Sequence, residues 1–245
     1  GQQAVAEYVT RKPGVIAGLN IAAAVLECEG INEYEILVSE GSQVDAGRAV
    51  LRAKGDTRKL LLTERTALNF LGRLSGIATL TNRWVTELKG TSAKVRDTRK
   101  TTPLFREFEK FAVRMGGGEN HRMSLSDAAL IKDNHIVAAG SAEKAFAKVK
   151  SAYPNLDLEV EVDSLDQLKE VLAAGAQLVL LDNMSLEQCR AAVEIVAGRT
   201  KLEASGGLTL ENAKAYGSTG VDYLAVGALT HSAPVLDIGL DLRME

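Results

Sequence analysis

The sequence predicts an α/β fold: a TIM-like α/β barrel, open or short of the full eight strands, that follows a smaller N-terminal α+β domain. Apolar strand patterns recur about every 20 residues, near Leu158, Leu178, Leu202 and Tyr223, with helical patterns between them. Two earlier strand patterns, at 93–97 and 128–132, give at least six such units. The alternative is an open doubly wound sheet, but the fingerprint G-x-G-x-x-G that often accompanies it is absent.

The predicted domain boundaries follow from these patterns. Residues 1–66 are expected to form the N-terminal domain, residues 67–235 the barrel, and residues 236–245 a tail that returns to the N-terminal domain. The chain begins Gly-Gln-Gln without methionine, so we expect that residues are missing before it. Apolar residues at helical spacing predict two helices within 64–89, and Gly76 is expected to separate them.

Helical spacing also predicts a helix over residues 104–115. An apolar stripe is expected to face the core, and it consists of Leu104, Phe108, Phe111 and Met115. A basic stripe is expected to form a solvated face, and it consists of Arg106, Lys110 and Arg114. Two later helices are expected to begin with capping boxes, in which a serine is followed three residues later by a glutamine, at Ser164 and Ser185.

Composition narrows the classes of function. The chain has 245 residues, of which 46% are hydrophobic, and its net charge of −3 with a pI of about 5.8 does not indicate a nucleic-acid-binding surface. There is no apolar run of about 18 residues, so no membrane span is expected. Cys28 and Cys189 lack metal or disulfide spacing and are typical of a reducing compartment, and there is no signal-peptide pattern, so we expect a cytoplasmic protein.

Cations and glycines are concentrated between residues 95 and 135. In a barrel of parallel strands, the active site lies where the carboxyl ends of the strands meet. Local cations on an acidic background favour a small, multiply anionic ligand over a polymer. The candidates at predicted strand ends are Arg99, Lys100, Lys132, Glu161, Asp182, Ser205, Gly206, Gly207 and Gly227.

Three motifs in this region, DTRKTTP, GGGENHR and LIKDNH, are long and specific. With ERTALNFLGRLSGIAT before them and EVEV, LLDNM, EASGG and VGALTHSA after them, the chain resembles the quinolinate phosphoribosyltransferase family over nearly its whole length. The resemblance implies transfer of phosphoribosyl from phosphoribosyl pyrophosphate to quinolinate with loss of CO2, which yields nicotinate mononucleotide in NAD synthesis. One departure is Leu104, where we expect glycine in the family, and we expect its φ to avoid positive values.

The resemblance also implies a role for individual residues. Those expected to bind quinolinate are Arg65, Thr98, Arg99, His121, Arg122 and Lys132. Those expected to bind phosphoribosyl pyrophosphate are Lys100, Lys132, Asn134, Glu161, Asp182, Ser205, Gly206, Gly207 and Gly227. The catalytic set within these is Lys100, Lys132, Glu161 and Asp182.

Glu161 and Asp182 are also the expected ligands of the cofactor, Mg²⁺, either directly or through water. Magnesium takes few protein carboxylates and relies on waters and substrate phosphates. The alternative is structural, since a carboxylate at a strand end can pair with a neighbouring lysine or cap the next helix. Glycines such as Gly206 and Gly227 let backbone N–H groups approach phosphate oxygens.

Other interpretations remain open from the sequence. Lys132 at a strand end is also typical of a Schiff-base aldolase, and a molybdenum-transport-associated pyrophosphorylase-like paralogue would share much of the pattern. A non-enzymatic anion-binding module is the third alternative. His135 and His231 are interpreted as structural histidines. The resemblance further implies a homodimer or higher homo-oligomer in which Arg65 acts in trans, although Arg65 could instead be a surface residue at the start of a helix.

Overall fold

Two compact units make up the chain, and both are interrupted in sequence. In the computed structural model, which describes residues 1–244, the first unit contains Gly1–Arg83, Lys100–Gly118 and the chain from Ala228 onward. The second unit contains Trp84–Arg99 and Glu119–Gly227. This division differs from the predicted continuous boundaries, because residues 67–83 and 100–118 group with the N-terminal sheet.

The described residues form twelve strands and nine helices. The strands of the described residues are β1 (Gln3–Thr10), β2 (Gly14–Val15), β3 (Glu33–Ile36), β4 (Gln43–Val44), β5 (Ala49–Asp56), β6 (Lys94–Arg96), β7 (Ala128–Ile131), β8 (Asp157–Val162), β9 (Leu178–Asp182), β10 (Lys201–Ser205), β11 (Tyr223–Ala225) and β12 (Ile238–Met244). The helices are α1 (Leu19–Cys28), α2 (Thr57–Glu87), α3 (Arg106–Met115), α4 (Asp133–Ala139), α5 (Ala142–Ala152), α6 (Leu165–Ala173), α7 (Leu186–Val196), α8 (Leu210–Gly217) and α9 (Ala228–His231). None of these helices has the length and hydropathy that crossing a bilayer requires.

The first unit is built on an antiparallel sheet with the strand order β12-β1-β5-β3. Alternate residues of β1 (Ala4, Ala6 and Tyr8) are fully buried, as expected for a strand with one face on a core. They pack with apolar residues of β5 and α1. The C-terminal segment forms the edge strand of this sheet, where Ile238 pairs with Thr10.

A single helix, α2, occupies the region where two helices were predicted. The prediction that Gly76 interrupts the helix is wrong. A Cβ atom at Gly76 would lie 2.0 Å from the carbonyl oxygen of Pro234, so only glycine permits this close approach of the chain. The glycine therefore serves helix-to-backbone packing, which a single sequence cannot distinguish from a helix break.

The second unit is a parallel sheet of six strands in the order β6-β11-β10-β9-β8-β7. The strands β6 and β7 follow each other in the chain but lie at opposite edges of the sheet. An isolated bridge joins Arg96 to Glu119 beyond β6. The predicted α/β fold with repeated strand and helix units is confirmed, and among the described residues it has six parallel strands in place of eight.

The helix α3 begins later than predicted and turns a different face inward. Its buried residues are Glu109, Lys110, Ala112 and Val113. The predicted apolar stripe is wrong at Leu104, which lies outside the helix and is 98% exposed, and Lys110 of the predicted solvated stripe is fully buried. Phe70, Phe105 and Phe108 instead form an aromatic cluster with ring centroids about 6 Å apart.

Leu104 adopts a φ of 67°, so the expectation that this backbone avoids positive φ is wrong. A positive φ strains any residue with a Cβ atom by about 1–2 kcal/mol. We expect Leu104→Gly to raise the free energy of unfolding in urea by about 0.5–1 kcal/mol, because glycine removes the strain and the exposed side chain contributes no packing. Leu104→Ala keeps the strain and is expected to leave stability unchanged. A glycine variant less stable than the alanine variant would contradict this account.

Candidate active site

Three neighbouring strands of the second unit carry a polar residue at or next to their carboxyl end, at the same edge of the sheet. Asp182 ends β9 and is paired in register with Ser205, which ends β10. Glu161 lies one residue before the end of β8 and is paired with Leu180 of β9. The register of these parallel strands places the three residues at the same edge of the sheet.

The turn after β10 depends on glycine. Gly206 has a φ of 87°, and a Cβ atom there would lie 2.1 Å from Oδ1 of Asn183. Asn183 in turn donates to the Asp182 carboxylate, with Nδ2 2.7 Å from Oδ2, and its backbone N–H donates to the carbonyl oxygen of Ser205. Gly207, with a φ of 62°, has no atom within 4 Å of where its Cβ would lie. The backbone at 205–207 is thus left accessible to a ligand.

Lys132 lies directly after β7 and caps α4. Its Nζ atom is 3.2 Å from Oε2 of Glu161, and the Lys132 side chain is half exposed. The backbone N–H of Lys132 donates to Nδ1 of His135 at 2.9 Å, which gives His135 a local structural contact. Asn134 is exposed in the first turn of α4. The edge that holds Glu161 therefore also presents a cation.

His121 is held inside the second unit by contacts on both ring nitrogens. Nδ1 accepts the backbone N–H of Arg122 at 2.8 Å, and Nε2 lies 2.7 Å from Oε2 of Glu159. Since Nδ1 accepts, Nε2 carries the proton that is donated to Glu159. The backbone N–H of His121 donates to the fully buried Asp97 carboxylate at 2.9 Å.

Glu203 completes this buried cluster. Its Oε2 atom accepts from Nη1 of Arg96 at 2.5 Å, and the Arg96 guanidinium stacks 4.6 Å from the ring centroid of Tyr223. Burial, and then the nearby Glu159 carboxylate, raise the pKa of Glu203 to about 7. One oxygen of Glu159 and one of Glu203 are buried without a hydrogen-bond partner among the described residues.

Two sets of acids are therefore candidates for a metal. Glu161 and Asp182 offer carboxylates at an edge where a phosphate-bearing substrate could add ligands, which suits Mg²⁺. His121, Glu159 and Glu203 have ligand atoms within 4.8 Å of one another. Both ring nitrogens of His121 are already engaged, so a metal at this buried set would have to displace the Nε2 proton that is donated to Glu159.

The Arg122 side chain extends toward the amino end of the sheet. Its Nη1 atom donates to the carbonyl oxygen of Ala128, the first residue of β7, at 2.8 Å. Burial lowers the pKa of Arg122, and the nearby Arg99 guanidinium lowers it further, so the two guanidinium groups share one neighbourhood. A cavity of about 660 Å³ at the amino ends of the strands is lined by both His121 and Arg122.

The remaining predicted residues have separate surroundings. Arg65 is exposed on α2, and Lys100 is also exposed. The carbonyl oxygen of Lys100 accepts from Oγ1 of Thr230 at 2.8 Å. Both residues belong to the first unit. Thr98 is half-buried just after β6. Gly227 is half-buried and immediately precedes α9.

Sequence reasoning missed three buried acids, Asp97, Glu159 and Glu203, and the half-buried Arg96 that pairs with Glu203. A signal was present for the two glutamates. In EVEV, Glu159 lies two residues before Glu161, and residues two apart in a strand point to the same face of the sheet. Glu203 alternates with the apolar Leu202 and Ala204, which places it on the other face of β10.

Comparisons with known proteins cover nearly the whole chain. The family profiles described as quinolinate phosphoribosyl transferase, N-terminal domain and C-terminal domain, match residues 1–75 and 77–241. A nicotinate-nucleotide pyrophosphorylase [carboxylating] of Mycobacterium leprae is 52% identical over 248 residues, which is 99% of this chain and 87% of that protein. A probable nicotinate-nucleotide pyrophosphorylase [carboxylating] of Bacillus subtilis is 41% identical over 99% of this chain and 85% of its own length.

Solved structures give the same result. The crystal structure of NadC from Streptococcus pyogenes has a TM-score of 0.95 and 42% identity, and the match covers 100% of this chain and 87% of that one. The nicotinate-nucleotide pyrophosphorylase from Francisella tularensis has a TM-score of 0.96 and 40% identity, covering 98% and 86% of the two chains. The similarity therefore includes the arrangement of the strands as well as the sequence.

Proposed function

The chain belongs to the quinolinate phosphoribosyltransferase family, and we propose from this that its reaction takes place at the carboxyl edge of the parallel sheet. The activity is transfer of phosphoribosyl from phosphoribosyl pyrophosphate to quinolinate, with decarboxylation, in the synthesis of NAD. The observation that carries the proposed location is the convergence of Glu161, Asp182 and Ser205 at one edge, with Lys132 3.2 Å from Glu161.

Quinolinate has two adjacent carboxylates, which suit the forked donors of arginine. We assign them to Arg99 and Arg122, whose closeness is supported by the lowered pKa of Arg122. A guanidinium has five N–H donors, so the bond to Ala128 engages one donor of Arg122. Thr98, His121 and Lys132 complete the proposed contacts, with Arg65 supplied by a second subunit. Arg122 and Lys132 lie at opposite ends of β7, so Arg122 meets the same ligand only if its side chain turns away from Ala128.

The phosphoribosyl donor is assigned to the strand ends. Glu161 and Asp182 would take the ribose hydroxyls, and the backbone N–H groups of 205–207 and Gly227 would take the 5′-phosphate. Lys132 and Asn134 lie on the neighbouring β7–α4 turn. Lys100 is assigned to the pyrophosphate because it follows Arg99 directly in the chain and a lysine is a compact positive charge.

In the reaction, the pyridine nitrogen attacks C1′ and pyrophosphate leaves with the electron pair of the C1′–O bond. The 2-carboxylate then leaves as CO2 and C2 takes up a proton. The nitrogen lone pair is already free, so no general base is required, and the residues act mainly by positioning and by electrostatic stabilisation. Mg²⁺, held by Glu161 and Asp182, would neutralise the charge of the leaving group.

The alternative enzyme class receives less support from the site. A Schiff-base lysine must be held neutral in an apolar or cationic setting. Lys132 instead forms an ion pair with Glu161 and is half exposed, which is neither an apolar nor a cationic setting. The named relatives reported above are nicotinate-nucleotide pyrophosphorylases, and none is a molybdenum-transport paralogue.

We also propose a homodimer as the minimal assembly and the cytoplasm as the location. Arg65 is exposed on α2, which leaves its guanidinium accessible to another subunit. Repetition of one contact by a two-fold axis would then supply this cation to both sites. Cys28 and Cys189 are both thiols, which is typical of a reducing compartment.

Substrate choice tests the proposed function directly. We expect release of CO2 from carboxyl-labelled quinolinate in the presence of phosphoribosyl pyrophosphate and Mg²⁺, and turnover of nicotinate at least about a hundredfold less efficient in kcat/KM. Nicotinate lacks the second carboxylate, so one guanidinium would be left unpaired in the site, at a cost of about 1–3 kcal/mol or more. Comparable turnover of nicotinate, measured as nicotinate mononucleotide formed, would show that the paired carboxylates are not what the site recognises.

A further inference from the structure

A closed circuit of hydrogen bonds in the first unit surrounds the turn Lys100–Thr102. Thr230 donates its hydroxyl to the carbonyl oxygen of Lys100 at 2.8 Å. The carbonyl oxygen of Thr230 accepts from Nη2 of Arg73, and the same nitrogen donates to Oε1 of Glu109 at 2.7 Å. Glu109 in turn accepts from the backbone N–H and the hydroxyl of Thr102 at 3.0 and 2.7 Å.

The charged side chains of this circuit have several hydrogen-bond partners. Glu109 is fully buried and receives three donors, one from Arg73 and two from Thr102. Arg73 also donates through Nη1 to the carbonyl oxygen of Ala233 at 3.2 Å. If the Arg73 contact opened, the buried Glu109 carboxylate would be left without a compensating charge. Because that state is costly, the pair stays closed.

The circuit holds main-chain atoms at both ends of a three-residue segment. The carbonyl oxygen of Lys100 is tied at one end, and the N–H of Thr102 is tied at the other. The Lys100 side chain is exposed. A lysine ammonium lies at the end of a flexible stem, and its reach is therefore set by where its backbone is held.

We propose that Thr230, Arg73 and Glu109 are positioning residues that fix the backbone of Lys100 and so determine how its ammonium meets the pyrophosphate of phosphoribosyl pyrophosphate. This inference rests on the proposed function, in which Lys100 binds that group. None of the three residues touches the substrate in this account. Their effect is transmitted through the Lys100–Thr102 backbone alone.

The experiment uses the whole 245-residue chain and begins with Thr230→Val, which keeps the shape of the side chain and removes its hydroxyl. We expect the KM for phosphoribosyl pyrophosphate to rise about tenfold, as for a lost hydrogen bond that positions a ligand, with the KM for quinolinate changed less than about twofold. Thr230→Ser, which retains the hydroxyl, should restore the wild-type KM.

Thr81→Val is the matched control. Thr81 is also fully buried in the first unit, and its hydroxyl donates to the carbonyl oxygen of Ile77 within the same helix. The Thr81→Val variant should have a Tm lowered about as much as that of Thr230→Val. Its KM values for phosphoribosyl pyrophosphate and for quinolinate should not change. If both valine variants change the two KM values alike, the effect is one of stability and the proposal is wrong.

A double-mutant cycle with Lys100→Met tests whether Thr230 acts through Lys100. In the Lys100→Met background, Thr230→Val should change the KM for phosphoribosyl pyrophosphate less than about twofold, since the group that it positions is gone. A full tenfold effect in that background would overturn the inference. If Thr230→Val does not fold, Glu109→Gln replaces it in the same cycle. A change of less than about twofold in the KM for phosphoribosyl pyrophosphate in the Lys100→Met background would again support the inference, and a full tenfold change would overturn it. Failure of the wild-type chain to release CO2 would instead refute the proposed function.

Discussion

Replacement of Glu161 or Asp182 by alanine is expected to lower kcat at least about a hundredfold while quinolinate binding is retained, in the range seen when a group that stabilises transition-state charge is removed. Both acids lie at the strand edge assigned to the ribose and the metal ion. Neither is assigned a contact with quinolinate. Their loss should therefore appear in the chemical step and in the binding of phosphoribosyl pyrophosphate.

Isothermal titration with quinolinate alone measures whether quinolinate binding is retained. Single-turnover CO2 release measures the loss in the chemical step. Asp163→Ala is a suitable control, because Asp163 is an exposed acid directly after β8 that has no assigned role. The Lys132 ammonium that loses Glu161 is half exposed, so the variant should fold. Loss of quinolinate binding in a folded Glu161 or Asp182 variant would show that the roles are assigned to the wrong acids.

Arg65→Ala and Lys132→Ala are each expected to be nearly inactive alone and to complement each other in mixed dimers. If Arg65 acts in trans and Lys132 in cis, a mixed dimer has one site with both residues and one site with neither. Refolding equal amounts of the two chains would give roughly half mixed dimers, so activity should return to about a quarter of wild type.

Two differently tagged chains allow the mixed dimers to be isolated and counted. Each variant refolded with itself provides the baseline, and Arg58→Ala, another exposed arginine on α2, should retain activity. Mixed dimers that form but remain inactive would place Arg65 in the same subunit as Lys132 or outside the site. A monomeric wild-type protein with full activity would refute the trans arrangement altogether.

The repeating part of the fold could be predicted because its signals are local. Ser164 accepts the N–H of Gln167 at the start of α6, and Ser185 forms the complete capping box with Gln188 at the start of α7. The capping box is confirmed at Ser185, whereas at Ser164 only the serine half forms, because the Gln167 side chain accepts from the backbone N–H of Asp163 instead. Acids and glycines at strand ends could be placed at one edge because parallel strands end together, whatever the tertiary packing around them.

The errors occur where a tertiary neighbour decides the outcome. Gly76 is buried against the backbone of Pro234, about 160 residues away in sequence, and nothing near it distinguishes that contact from a helix break. Lys110 and Glu109 are charged yet fully buried, because partners elsewhere in the first unit compensate Glu109. Helical periodicity counts such residues as solvent-facing, so the inward face of α3 could not be predicted.

The position of β12 has a consequence for biosynthesis. Among the described strands of this sheet, β1 comes first in the chain, and its two neighbours in the sheet are β5 and β12. One edge of β1 therefore stays unpaired until Ile238–Met244 has been translated, while the strands of the parallel sheet are all complete earlier. An unpaired apolar strand edge is a template for pairing with other chains. In a nascent chain this edge of β1 is therefore open to pairing with other chains while the whole parallel sheet is being made.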